Sequence, residues 1–329
     1  MKDEPTLNLA ECDVVVVGGG ASGMICSAAL ASRGFKTVLV EARGSLWWEV
    51  SWARQRLALE SSTLPAFQAL KDELSAAGGI KNGTVEPVIA QLVADQFCTR
   101  RGVKVLFHAR PIDLVWDTPG QLNLKLALKG RTGELAAKAC VDCSDNGYLT
   151  RLQGIPGKSQ AVQNTLWCLT FSNCKIDEIK EYTLYLGGNE VLIRLRPGCW
   201  DDEVMVDIAY PISSHGSYPV ELTFTSDLEP LVTELRRMAP PLKEAILSHV
   251  ADAPWSLPGV SVEPTENKLV VSGQDGRFVG AGVWLAYALA EIVSVPFWEQ
   301  SNKAINLALE IGEMAALKVE KNLVVTGAH

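Results

Sequence analysis

Residues Asp13 to Arg43, DVVVVGGGASGMICSAALASRGFKTVLVEAR, constrain this chain more than any other stretch. Val14 to Val17 is an unbroken apolar run, the pattern of a parallel strand buried on both faces. Gly18-x-Gly20-x-x-Gly23 follows directly. Gly18 permits a tight turn, Gly20 lets the backbone approach a pyrophosphate, and Gly23 lets the next helix pack closely on the strand. A helix is predicted from about Ala21 to Ser32, with its free N–H groups facing the phosphates and Gly34 ending it. Lys36 to Val40 reads as a second strand, and Glu41 at its end can accept both hydroxyls of an adenosine ribose. Because strand, turn, helix, second strand and acid occur together, the stretch points to dinucleotide binding rather than to glycines that serve packing alone.

The chain has 329 residues, 47% hydrophobic and 21% charged, which is enough apolar material for a large core and about two domains. Its net charge of −8 and its lack of a basic tract argue against nucleic acid as a partner. The N-terminal residues MKDEPTLNLAECD lack the basic and apolar regions of a signal peptide, so a cytoplasmic protein is expected. The eight cysteines are scattered, and in that setting they are expected to be free and mostly buried. Cys140-Val-Asp-Cys143 is a CxxC at a strand end, where i and i+3 point to opposite faces, unlike the helix-opening redox motif. No Cys/His cluster has metal-ligand spacing, so no metal is expected. Residues 279–298, VGAGVWLAYALAEIVSVPFW, carry one charge, but Pro296 and two glycines shorten any helix. A buried core helix is expected there, the alternative being a membrane-surface or protein-partner face.

Along the chain, residues 53–77 are helical in character, and Pro87 to Arg101 reads as an amphipathic helix before a short strand, Val103 to Phe107. Ile112–Trp116, Leu122–Leu128 and Leu135–Val141 alternate as a three-stranded antiparallel meander. LWCLTF, EVLIRLRPG, EVMVDIAYPI and PVELTF read as strands. A helix interrupted by Pro240-Pro241 is predicted from Leu228 to Val250, a buried strand at KLVVS, and a last helix from about Asn302 to Lys321. The expected fold is α/β. A Rossmann-like nucleotide domain (1–157 and 263–329) would carry the meander, with a β-sheet-rich substrate domain (158–262) inserted between its two parts.

Four stretches carry a family likeness: the βαβ fingerprint, EARGSLWWEVS from Glu41 to Ser51, VDCSDNGYLTRLQG from Val141 to Gly154, and the closing NKLVVSG, Gly276-Arg277 and INLALEIGEMAAL. With these the chain resembles FAD-dependent oxidoreductases of the glutathione-reductase-like superfamily. The resemblance implies FAD as cofactor. Gly18, Gly20, Ala21, Ser22 and Gly23 would hold its pyrophosphate, Glu41 its ribose, and Ala42 and Arg43 would lie by the adenine. Pro111 would touch adenine through its backbone, Ser144 would sit near the pyrophosphate, and Asp275 or its neighbours in GQDGR would approach the ribityl chain. Leu46-Trp47-Trp48 replaces the family's Leu-Gly-Gly, and Asp145 replaces a glycine. The indoles therefore either displace the loop or line a substrate cavity.

A flavin carries its own redox chemistry, so a catalytic side chain is optional. Candidates are Arg277, after the returning strand, His215 in a polar loop, and Trp48. Arg194 and Arg196 share one strand face, either as a carboxylate clamp or as a solvated surface. The tryptophans at 47, 48, 52, 200, 255, 284 and 298 either form an aromatic cage or pack the core. The expected activity is hydride transfer from a small organic substrate, such as an amine, amino acid or aromatic, to flavin N5. An NAD(P)H-dependent flavin monooxygenase is one alternative. A non-catalytic or partner-dependent FAD-binding subunit is the other.

Overall fold

The computed structural model describes residues 7–118, 121–145, 147–154, 157–159, 164–212, 220–256, 260–262, 278–280 and 292–325. In chain order, β1 (Leu7–Val17) leads through the glycine turn into α1 (Ala21–Ser32) and then β2 (Thr37–Val40). A short α2 (Trp48–Ser51) and α3 (Pro65–Ala76) follow, then a small hairpin of β3 (Ile80–Lys81) and β4 (Thr84–Val85). Next come α4 (Pro87–Thr99), β5 (Lys104–Leu106), β6 (Arg110–Thr118), β7 (Gln121–Leu128), β8 (Arg131–Asp142) and α5 (Tyr148–Leu152).

The second half opens with β9 (Gly157–Ser159), then β10 (Asn164–Ser172), β11 (Lys180–Leu186), β12 (Asn189–Pro197) and β13 (Glu203–Pro211). It continues with α6 (Val220–Met238), β14 (Ile246–Val250), β15 (Val260–Val262), β16 (Phe278–Gly280) and α7 (Gln300–Val325).

The first sheet runs β5-β2-β1-β8-β7-β6, with β16 beside the end of β8. β2, β1 and β5 are parallel, as are β1 and β8, whereas β8, β7 and β6 form the antiparallel meander. β8 therefore serves twice. Up to Ala137 it closes the meander against β7, and from Cys140 it pairs in parallel with β16. α1 and α7 cover one face over a core that includes Val14, Val16, Met24, Ile25, Leu39 and Leu309. The other face packs Val15, Val17, Val38 and Cys140 under the meander residues Leu122, Leu124 and Leu126. The second sheet, β11-β12-β13-β10-β14, packs Trp167, Leu169 and Phe171 against Phe224, Leu231 and Leu235 of α6.

Three sequence expectations are corrected. Residues 53–64 are not helical, because Asn302 and Asn306 of α7 accept from the amides of Ala58 and Glu60, which a helix would engage internally. Val220 to Phe224 of PVELTF open α6 instead of forming a strand, since Phe224, Leu228, Leu231 and Leu235 present one helical stripe to the sheet. Ile246–Val250 is a strand, not helix, and it pairs with Leu169 to Ser172 of β10. KLVVS and most of 279–298 lie outside the described residues. Among the described residues no helix is long and apolar enough to cross a membrane.

Candidate functional site

The glycine turn is tight for reasons visible atom by atom. Gly18 sits at φ +98°, and an added Cβ would lie 2.6 Å from the Cys143 carbonyl oxygen. A Cβ on Gly23 would lie 1.6 Å from the Gly18 carbonyl oxygen, so α1 can lie this close to β1 only with hydrogen at that position. Gly20 precedes α1 and leaves the amide of Ala21 free to serve a group outside the helix.

Beside this turn lies a cleft of about 300 Å³. Its lining includes Gly18, Gly20, Glu41, Ala42, Arg43, Pro111, Ser144, Asp145 and Tyr148. Glu41 is buried. Its Oε2 accepts from the Gly19 amide at 2.5 Å and its Oε1 from the Arg43 amide at 2.6 Å. Burial pushes the Glu41 acid up, against those two amides and the Arg43 charge. Arg43 bridges Glu41 at 3.6 Å and Asp145 at 3.2 Å. Burial works against its charge, but Asp145, Glu41 and Glu49 together hold it above its usual range. At the end of β8 the fully buried Asp142 accepts from the amides and hydroxyls of both Ser144 and Thr150. That carboxylate organises the turn bearing Ser144 and Asp145.

The structure thus brings Gly18, Gly20, Glu41, Ala42, Arg43, Pro111 and Ser144 to one cleft. Ser22 and Gly23 face elsewhere: the Ser22 hydroxyl is 3.4 Å from the Cys143 carbonyl, and Gly23 packs on Gly18. Asp275, Arg277, His215 and Trp284 lie outside the described residues. Sequence reasoning missed Asp142, Tyr148 and, above all, Glu49. The amide of Ala21 donates to Glu49 Oε1 at 2.9 Å and Oε2 at 3.2 Å. An acid directly after Leu46-Trp47-Trp48, which replaces Leu-Gly-Gly, was the available signal.

Neither choice posed for the indoles holds for both. Trp47 is fully buried in the core at φ 52°, the left-handed backbone that a glycine favours, and its amide donates to the Gly19 carbonyl. Trp48 stacks under Arg43, 4.0 Å from the guanidinium carbon. It also joins Trp255, Leu166 and Ala209, flanked by Trp52, Phe297 and Trp298, in a cluster between α2 and the second sheet. Trp200 is half exposed and lies apart, near Lys81. Arg194 and Arg196 are not a solvated face: Arg196 is buried against Asp207 at 2.8 Å, and Arg194 reaches Glu299 at 3.2 Å. Cys140 and Cys143 are free and buried in different cores, on opposite sides of the first sheet.

A parallel β-strand, a three-glycine turn, a helix N-terminus and a buried acid at the next strand end define the class as dinucleotide-binding α/β proteins with an antiparallel meander. The chain belongs to the FAD dependent oxidoreductase family, whose sequence profile matches residues 13–186. It is accordingly an enzyme of the flavoprotein class with FAD as cofactor. No curated protein matches the sequence.

Among solved structures the fold is similar to a flavoprotein/dehydrogenase from Cytophaga hutchinsonii, at 16% identity and TM-score 0.57 over 95% of this chain and 79% of that one. It is also similar to the flavin-dependent monooxygenase PieE, solved with FAD and substrate, at 12% identity and TM-score 0.59, covering 94% of this chain and 63% of PieE. Aklavinone-11 hydroxylase, solved with FAD and aklavinone, gives 16% identity and TM-score 0.55, covering 98% of this chain and 64% of the hydroxylase.

The residues present fit the adenosine half of FAD: a cleft of this size lies beside a ribose-type acid. At the diphosphate position the fit requires Glu49 to move, because its carboxylate holds the Ala21 amide.

Proposed function

We propose that the chain binds FAD along this cleft as a member of the glutathione-reductase-like superfamily and oxidises a small organic substrate. Glu41 receives the ribose hydroxyls, Ala42, Arg43 and Pro111 flank the adenine, and Gly18, Gly20, the Ala21 amide and Ser144 surround the diphosphate, while Ser22 and Gly23 pack the turn from behind. When bound, FAD supplies two-electron chemistry, accepting a hydride from the substrate. The chain's own part is to orient that group and to exclude water. The aromatic cluster of Trp48, Trp52, Trp255, Phe297 and Trp298 supports a dry substrate pocket between α2 and the second sheet. The two separate cores support a nucleotide domain of 1–157 and 263–329 around an inserted 158–262. Eight free, buried cysteines support a reducing, cytoplasmic setting.

The observation that carries this reading is the buried Glu41 beside the glycine turn, both facing one cleft. The test is the visible absorption spectrum of the purified protein, with the released cofactor identified after denaturation. A protein that stays colourless and takes up no added FAD refutes the reading. A second reading, an NAD(P)H-dependent monooxygenase, is favoured by the likeness to PieE and aklavinone-11 hydroxylase. Rapid bleaching of the flavin by NADPH in air supports it; inertness to NADPH supports a substrate-reduced oxidase or dehydrogenase.

A further inference from the structure

The α1 N-terminus, where a bound diphosphate is expected, is already taken by a carboxylate of the chain itself. Glu49 is buried, and both of its oxygens lie within 3.2 Å of the Ala21 amide. A Cβ on Gly20 would come within 2.5 Å of Glu49 Oε1 and 3.2 Å of Trp48 Nε1, so these two side chains fill the space that Gly20 leaves open. The buried Trp48 indole N–H has no partner. On its far side Trp48 packs into the cluster shared with the second sheet. Consecutive side chains of α2 therefore hold the anion seat and the space from that seat to the second sheet. Among the described residues no cation lies within 4.0 Å of the Glu49 carboxylate.

We propose that Glu49 is a built-in occupant of the diphosphate seat, which an incoming dinucleotide displaces as α2 turns about the left-handed Trp47. The movement takes Glu49 off the Ala21 amide and Trp48 off Arg43, leaving an amide and a guanidinium for the phosphates. The inference rests on the FAD reading of the cleft. Two anions cannot share one buried seat, so the protonated acid yields it more readily than the carboxylate does. The charges facing Glu49 are Asp145 from the turn after β8 and Arg43 from the loop after β2. α4, packed on α2, contributes Ala90 and Val93 to the same core as Val50, with no charge among them. Burial first, then Asp145, pushes the acid up to about 8, against the Ala21 amide and Arg43.

The test uses the full chain freed of flavin, as wild type, Glu49→Ala and Glu49→Gln, with calorimetric titration of adenosine, ADP-ribose and FAD. ADP-ribose is chosen because its diphosphate diester does not titrate between pH 6 and 9. Adenosine is expected to bind all three proteins alike. ADP-ribose and FAD are expected to bind Glu49→Ala about tenfold or more tightly than wild type at pH 9. Wild-type affinity for ADP-ribose should fall by about tenfold from pH 6 to pH 9 and stay level in Glu49→Gln, the variant that keeps the side-chain shape. Equal or weaker binding of ADP-ribose by Glu49→Ala, with adenosine unchanged, overturns the proposal and leaves the FAD reading standing. Failure of all three ligands to bind any of the proteins overturns the FAD reading, and this inference with it.

Discussion

Replacing Asp142 by asparagine tests whether one buried carboxylate holds the Ser144 and Asp145 lining of the cleft in place. Oδ1 accepts from the Ser144 amide at 3.1 Å and its hydroxyl at 2.6 Å, while Oδ2 accepts from the Thr150 amide and hydroxyl, both at 2.7 Å. Asparagine offers one oxygen. Whichever way its amide turns, one backbone N–H and one hydroxyl face its NH₂ group. The hydroxyl can rotate and accept, but the backbone N–H cannot. One orphaned buried amide costs about 1–3 kcal/mol. The surviving bonds lose the strength an ionised acceptor gives, worth ~1 kcal/mol more. Burial holds the Asp142 acid above its usual range, so removing the charge returns part of this. The net loss is about 2 kcal/mol, a fall in Tm of roughly 4–8 °C for a domain of this size. Differential scanning calorimetry reads it directly, and adenosine affinity should weaken as well, because Ser144 and Asp145 line the cleft. A variant that melts within about 1 °C of wild type refutes the reasoning.

Glu41→Ala removes the acceptor for the Gly19 and Arg43 amides and should weaken adenosine and FAD by about tenfold or more in equilibrium titration; unchanged affinity sinks the ribose assignment. Gly20→Val places branched carbon where Glu49 Oε1 already lies 2.5 Å from a single Cβ, so it should abolish FAD retention on purification; a stoichiometric complex would contradict it. Glu313→Ala strips α3 of the buried acceptor for the Ala66 and Phe67 amides, at 2.9 and 3.0 Å, and should lower stability by about 2 kcal/mol in urea while nucleotide affinity is kept. Native Glu49 keeps a proton that the unfolded chain releases above about 4.5, so stability should fall as pH rises from there to about 8. Melting curves between pH 6 and 9 should slope less in Glu49→Gln than in wild type, and parallel slopes would count against the buried acid.

Asp13 to Arg43 was legible because its signals are local: a run of valines, three glycines at set offsets, and an acid closing the second strand. The same holds for α4, the meander and α7, each announced by its own periodicity. Residues 53–64 misled because their apolar spacing is helical, yet two asparagines of α7 claim the backbone amides. PVELTF misled in the opposite sense. Its β-branched residues suit a strand, but the face offered by Trp167 and Phe171 accepts a helix.

The sequence by itself determined that a dinucleotide-type glycine turn sits between two parallel strands, because three glycines and an acid at those spacings admit few other structures. Tertiary structure alone decided what stands at that turn. Trp47 turns inward, Trp48 lies under Arg43, and Glu49 reaches an amide 28 residues away. No local pattern encodes that contact. It exists because α2 is folded back toward the α1 N-terminus, where the buried Glu49 acid finds the free N–H of a helix end.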